Sequence, residues 1–527
     1  MISLSYDRKA IMERKLKRMF KMKSFLFSAF LACLICCSNE IGGQTTNQSN
    51  EEFTHVIDSI IDLVQSKWNA PGIALGIVKD GKVIYKKGYG YRNIQTKERV
   101  TSNTLFSIAS STKSFTTTGL GILVDEGKLY WDKPVKSYLP IFQLSDSLAS
   151  NNSTLIDILS HRTGLPGHEI MQIAIAKQFD RREIVKRLRF LEFSKPFRTK
   201  WQYQNQMYQT ATVLTEEISG MKWEDFIRKK LFEPINMSST IFAGPELVQK
   251  SDNRATRYSY TPEGELIPAE PIHTFMEEVS GGGSIYSNVD DLCNWLIFNL
   301  NKGEFEDKRV VSEKTMNMIQ NPQIIISSAL LPEILMHSYT LGWDEMVYKG
   351  HLMLNRPGGY IGITSQIAFF PLDNIGIVVL ANLQSTTAQM IISFEIIDRL
   401  LALDSTPWFQ KLWPYEDYSK QQFISQLKPS KKDGDIIEPS KPLIDFAGVY
   451  QNEGYGNITV IYKNDKLYVD YINNSELHHY DQDSFETYQL YKHFQFNFIK
   501  DQKGNINALK CQFEPSVAEI IFMRVSE

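Results

Sequence analysis

The stretch "FSIASSTKSFT", residues 106–116, sets Ser110 three positions before Lys113, in a run with few bulky groups and no other charge. A serine hydroxyl is a weak nucleophile until a base stands beside it. A lysine serves as that base only when burial or neighbouring cations lower its pKa. If a helix starts near Ser110, residues i and i+3 share a face and the two side chains meet. A helix start also offers backbone N–H groups suited to a developing oxyanion. Taken alone, so short a spacing reads first as a helix-capping serine followed by a solvent-facing lysine.

The elements that must position this pair are legible on either side. "GIALGIVKDGKVIYKKGYG" reads as two strands around an Asp80-Gly81 turn, a strong hairpin signal. "STKSFTTTGLGILVDEGKL" reads as a helix, with Phe115, Leu120, Ile122 and Leu123 at roughly helical spacing and Gly127 as its C-cap. "SQIAFFPLDNIGIVVLANL" gives two more apolar strands around Asp373-Asn374, and "TTAQMIISFEIIDRLLAL" a closing helix. Strands at both ends of the region with helices between predict one antiparallel sheet covered by helices, an α/β (α+β) arrangement over residues 51–406. Residues 407–441, ending in the Pro/Lys-rich "QLKPSKKDGDIIEPSKP", read as a linker. Residues 442–527 alternate with period two, as in Phe494/Phe496/Phe498 and Leu509/Cys511/Phe513. That pattern predicts a small antiparallel barrel or sandwich.

Taken together, the segments carry a family resemblance. "TLFSIASSTKSFTTTGLGILVDEGKL" closely resembles the first active-site segment of the serine β-lactamase and penicillin-binding-protein superfamily, in its class C-like and esterase-like branch. "LIDILSHRTGLPG", "WQYQNQMYQTATVLTEEISG", "LFEPINMSSTIF" and "SGGGSIYSNVDDLCNWL" follow in the family's order, and the likeness spans roughly residues 53–400. The resemblance implies a three-layer fold with a helical lobe between the first two motifs, and an acyl-enzyme mechanism without a cofactor or metal. It casts Ser110 as nucleophile, Lys113 as the group that takes or shares its proton, and Tyr203 as a further relay to the leaving group. Asn205, of the Tyr-x-Asn motif, would hold the substrate's amide or carbonyl. The C-terminal β region resembles the lipocalin-like or barrel-like domain often attached to such hydrolases.

The third motif departs from the family. Where a Lys-Thr-Gly or His-x-Gly is usual, "NRPGGYIGITSQIAFFP" offers Arg356, Pro357 and Gly358. Arg356 and Gly358 are expected to bind substrate, the guanidinium taking a carboxylate bidentately. The backbone N–H of Gly359 would pair with that of Ser110 as the oxyanion hole. Arginine differs from lysine or histidine in bulk and geometry, so a salt-bridged wall residue is the other reading of Arg356. Pro357 lacks an N–H, which suits an edge or irregular strand position. Phe197-Arg198 replaces a frequent Pro-Gly, implying an altered turn. His161 is a structural histidine by family position.

Totals bound the remaining classes. The 527 residues carry a net charge of −3, which gives no sign of a nucleic-acid partner. Residues 1–23 hold eight Lys/Arg and two Asp/Glu, and the apolar run Ser24 to Cys37 follows. Positive, then apolar, then polar is the order of a secretory leader, and the run falls short of the ~20 residues of a spanning helix. Residues 1–50 are therefore read as an export leader and polar spacer, with Met22 as an alternative start. The expected product is periplasmic or a membrane-anchored lipoprotein, lipidated on Cys36 or Cys37, acting on a small-molecule or peptide substrate. The two cysteines beyond, Cys293 and Cys511, imply no disulfide framework.

Overall fold

The computed structural model describes residues 51–250, 252–269, 280–384, 387–428, 437–489 and 492–525. The leader and its cysteines lie outside the described residues. By packing, the chain divides into Met1–Leu63 and Val64–Glu527. Of the first unit, residues 51–63 are described, and they are helical.

The second unit is built on a nine-stranded antiparallel sheet. Its order is Ile324–Leu331, Ile334–Tyr339, Asp344–Tyr348, His351–Tyr360, Ile363–Phe370, Ile375–Ala381, Gly72–Lys79, Lys82–Asn93 and Glu98–Arg99. The first and last portions of the region thus meet at its centre, where Ile77 pairs with Ile377. The Asp80-Gly81 turn has both residues at positive φ, +50° and +72°, the twist that a two-residue hairpin needs. Helix Val289–Leu300 covers one face, close enough that a Cβ on Gly76 would strike Val289 and Cys293. Helix Ala388–Leu400 covers the other, where Ser393 Oγ donates to Gln366 Oε1. Helix Thr112–Asp125 is buried around most of its circumference, as a helix inside a large domain must be. Short helices between Ser147 and Arg187 form the expected lobe between Ser110 and Tyr203.

The C-terminal strands, from Gly448–Asn452 to Ile520–Arg524, close into an eight-stranded barrel in sequential order. The last strand pairs with the first, as at Gln451–Met523. Closure removes both sheet edges and turns the period-two residues Phe496, Leu509 and Phe522 inward. The barrel does not pack as a separate body, because its buried residues and those of the lobe belong to one continuous apolar cluster. Gln178 exchanges two hydrogen bonds with the Asn457 backbone, at 2.9 and 3.0 Å.

The linker reading of 407–441 needs correction. Residues Trp408–Gln426 are a helix with Pro414 inside it. It is tied to the first domain by Trp408 Nε1 donating to Asp398 Oδ2 at 2.9 Å and by Glu416 accepting from the Thr387 N–H at 2.7 Å. The Pro/Lys-rich composition belongs only to residues 426–442, and Ser440 is already bonded to Asp483 of the barrel. Trypsin should therefore cut the native protein first at Lys431 or Lys432. The two fragments should stay together on size exclusion, held by the lobe–barrel contacts. Early cuts within residues 60–400 would contradict this boundary.

Candidate active site

Ser110 lies in a single tight turn, Ala109–Ser111, that runs directly into helix Thr112–Asp125. Ala109 holds φ +45°, an uncommon conformation for a residue with a Cβ. The turn is stitched to the sheet by Ser365 Oγ donating to Ile108 O at 2.7 Å and Ser111 Oγ donating to Arg356 O at 2.9 Å. Lys113 falls in the first helical turn beneath Ser110 and is fully buried, so the solvent-facing alternative does not hold.

The Lys113 Nζ lies 3.1 Å from Ser110 Oγ, 2.6 Å from Asn205 Oδ1 and 2.8 Å from Gly282 O. Burial pushes its pKa well below that of an ordinary lysine, and the Arg356 charge adds to the effect, while Glu169 opposes it. A neutral amine has two N–H donors and one lone pair. When Lys113 is deprotonated, with its donors given to Asn205 and Gly282, the lone pair would face the Ser110 hydroxyl. Tyr203 OH stands 2.6 Å from Ser110 Oγ. Burial holds its pKa above the usual phenol value despite the Arg356 charge and the Ser110 bond. Burial thus favours the uncharged form of both groups, which have opposite capacities for a proton.

Tyr203 and Asn205 arrive on the chain entering helix Gln206–Ser219, and both line a cavity of about 160 Å³ with Ser110. Glu169, Gln172, Gly282, Gly359 and Tyr360 complete much of its wall. Gly359 thus lies on the same cavity as Ser110, at the end of strand His351–Tyr360.

Two expected substrate contacts are placed elsewhere. Arg356 is 2% exposed and does not line the cavity. Its Nε donates to Ser110 O at 2.9 Å, its Nη1 to Tyr339 OH at 2.5 Å and its Nη2 to Tyr203 OH at 3.2 Å, with Asp344 3.7 Å away. Each of its three nitrogens is engaged by the protein, so it stands as the charged wall behind Tyr203 and outside the cavity. Gly358 is a close-approach glycine, because a Cβ there would lie 2.1 Å from Ile108 O. Pro357 sits where the strand has lost one neighbour, since pairing with Asp344–Tyr348 ends at Asn355, and its missing N–H breaks no ladder on that side.

His161 is buried, accepts from the Gln204 N–H at Nδ1 and faces Tyr339 OH through Nε2 at 3.2 Å. Burial, with the Lys113 and Arg356 charges, drives its pKa well down. It is a neutral structural histidine behind the site. Arg198 adopts φ +64° at the altered turn, and its guanidinium grips Asp157 at 2.7 Å. Cys293 and Cys511 are both free and buried. Among the described residues, no group of His, Cys, Asp and Glu could hold a metal.

Sequence reasoning missed Glu169, Gly282, Tyr339 and Asp344. Only Gly282 carried a signal, the triple glycine "SGGG", which marks close backbone approach.

Comparison with known proteins agrees with this architecture. The Beta-lactamase family model matches residues 60–399, and a domain of unknown function, DUF3471, matches residues 432–524. The chain therefore belongs to the beta-lactamase family, as a β-lactamase-related serine hydrolase with a C-terminal barrel. It is 30% identical over 445 residues to the unguisins hydrolase ungD' of Aspergillus campestris, with 80% of each chain covered. It is 26% identical over 345 residues to the protein flp of Staphylococcus aureus, with 64% of each covered. Two solved structures share the fold. The octameric penicillin-binding protein homologue from Pyrococcus abyssi has a TM-score of 0.59 at 23% identity, covering 88% of this chain and 99% of that one. A class C beta lactamase from Rhodobacter sphaeroides has a TM-score of 0.54 at 20% identity, covering 66% and 99%.

Proposed function

We propose that the protein is an exported hydrolase that opens an ester or amide through an acyl-enzyme on Ser110. The observation that carries this reading is the amine of Lys113, buried, held low in pKa, and 3.1 Å from Ser110 Oγ. Lys113 takes the hydroxyl proton as Ser110 attacks the carbonyl. The N–H groups of Ser110 and Gly359 receive the oxyanion. Tyr203 OH passes a proton to the leaving group as the tetrahedral intermediate collapses, and Asn205 orients the acyl portion. Water then releases the acid by the reverse route. Small esters, D-amino-acid peptides and β-lactams are the candidate substrates, and the relative named as an unguisins hydrolase supports a hydrolytic role.

A serine-directed fluorophosphonate should add once to the native protein, with peptide mapping placing it on Ser110. A label on another serine that survives Ser110→Ala would overturn the reading. Export rests on the basic and then apolar order of residues 1–37. N-terminal analysis should find the leader removed, with a lipid on Cys36 or Cys37 in the anchored form or a start near Thr45 in the secreted form. A soluble cytoplasmic protein keeping Met1 or Met22 would end that part of the proposal.

A further inference from the structure

Among the described residues lining the cavity over Ser110, one side chain, Glu169, is acidic and none is basic. Glu169 opens helix Glu169–Ile175 and lines the cavity with Ser110 and Asn205. Its carboxylate accepts only a long bond, 3.5 Å, from Asn205 Nδ2. Among the described residues, no cationic side chain forms an ion pair with it. The two nearby cations do not answer it. Lys113 is held toward its neutral form, and the Arg356 guanidinium is buried behind Tyr203, outside the cavity lining, bonded to Tyr339, Tyr203 and Ser110.

The position of Glu169 is set by the residue before it. His168 is buried at φ +41°. Its N–H donates to Glu514 Oε2 at 2.9 Å, and its carbonyl accepts from Gln206 Nε2 at 2.8 Å. Its Nε2 must donate to the Glu192 carbonyl at 2.9 Å, which leaves Nδ1 to accept from Tyr455 OH at 2.7 Å. Glu514 and Tyr455 belong to the barrel, so that domain fixes the start of the helix that presents the carboxylate.

We infer that Glu169 is a specificity residue that pairs with a free ammonium group on the acyl portion of the substrate, as in amino-acid esters and amides with an unblocked amine. The small cavity keeps that charge within a few bonds of the carbonyl. A partly solvated carboxylate and an ammonium in contact favour such a substrate by roughly five- to tenfold over a neutral isostere. The inference rests on Ser110 being the reacting group.

The test compares alaninamide, in both enantiomers, with the isosteric isobutyramide as protectants of Ser110 against the fluorophosphonate. It is run below the ~7.7 at which an α-amino group loses its proton. Turnover of alanine p-nitroanilide against isobutyryl p-nitroanilide gives the kinetic counterpart. At least one alaninamide enantiomer should protect at several-fold lower concentration than isobutyramide, and Glu169→Gln should bring the ratio close to one. Equal protection by the two amides, or an unchanged ratio in Glu169→Gln, overturns the inference while leaving the labelled serine in place. A Glu169→Gln variant that slows both anilides equally assigns the carboxylate to the chemistry and also overturns it. Absence of any label on Ser110 is the separate failure of the hydrolase reading.

Discussion

Ser110→Ala should lower kcat/KM by ~10⁴-fold or more, and Lys113→Ala should fall to nearly the same floor. The two act as one device, so the double variant should be no worse than the slower single one. Additive losses would mean that Lys113 supports the fold and not the proton transfer. Ser110→Ala should melt as a folded protein, because Ala at 110 removes only one oxygen from a half-exposed position. The wild type should also show an acid limb in kcat/KM. Lys113 is useful only without its proton, so activity falls as pH drops through a value well below an ordinary lysine. The linkage sign agrees. The unfolded chain binds this proton more readily than the folded one between that depressed value and 10.5, so the contribution of Lys113 to stability rises with pH across the same window.

Arg356→Ala should depress a carboxylate-bearing substrate and its methyl ester equally, by roughly a hundredfold each. The guanidinium faces Tyr203 OH, Tyr339 OH and the Ser110 carbonyl, so its loss disorders the reacting groups whatever the substrate carries. It also leaves two buried tyrosine hydroxyls without their cationic donor, and Asp344 with His337 at 2.9 Å but without the guanidinium. Breaking a buried pair in this way costs ~3–5 kcal/mol, which should appear as a clear fall in Tm. Arg356→Lys should recover part of the stability and less of the rate, because one ammonium cannot replace three donors in a fork. A selective loss on the acid alone would restore the carboxylate-reading role.

These two sites mark what the sequence could express. Ser110 and Lys113 lie three apart on one helical turn, so local periodicity brings them together. The Asp80-Gly81 and Asp373-Asn374 turns are likewise local, and they placed four of the central strands. Arg356 was found at its strand, but which way the guanidinium runs depends on Tyr339 and Asp344 from neighbouring strands, which no spacing encodes. Glu169 stands 59 positions from Ser110 on the lobe, and an acidic residue opening a short helix looks like ordinary solvated surface. Helix Trp408–Gln426 was hidden by Pro414 and by the composition of the stretch after it. Its amphipathic pattern is weak, and anchoring through Trp408 and Glu416 compensates.

His168 sits where the hydrolase domain and the barrel meet, and its imidazole serves both through a single tautomer. The pocket wall that it anchors is therefore shared property. If Glu169 reads the acyl group as inferred, substitutions at Tyr455 or Glu514 should shift that preference from the barrel side, through the contacts that hold His168.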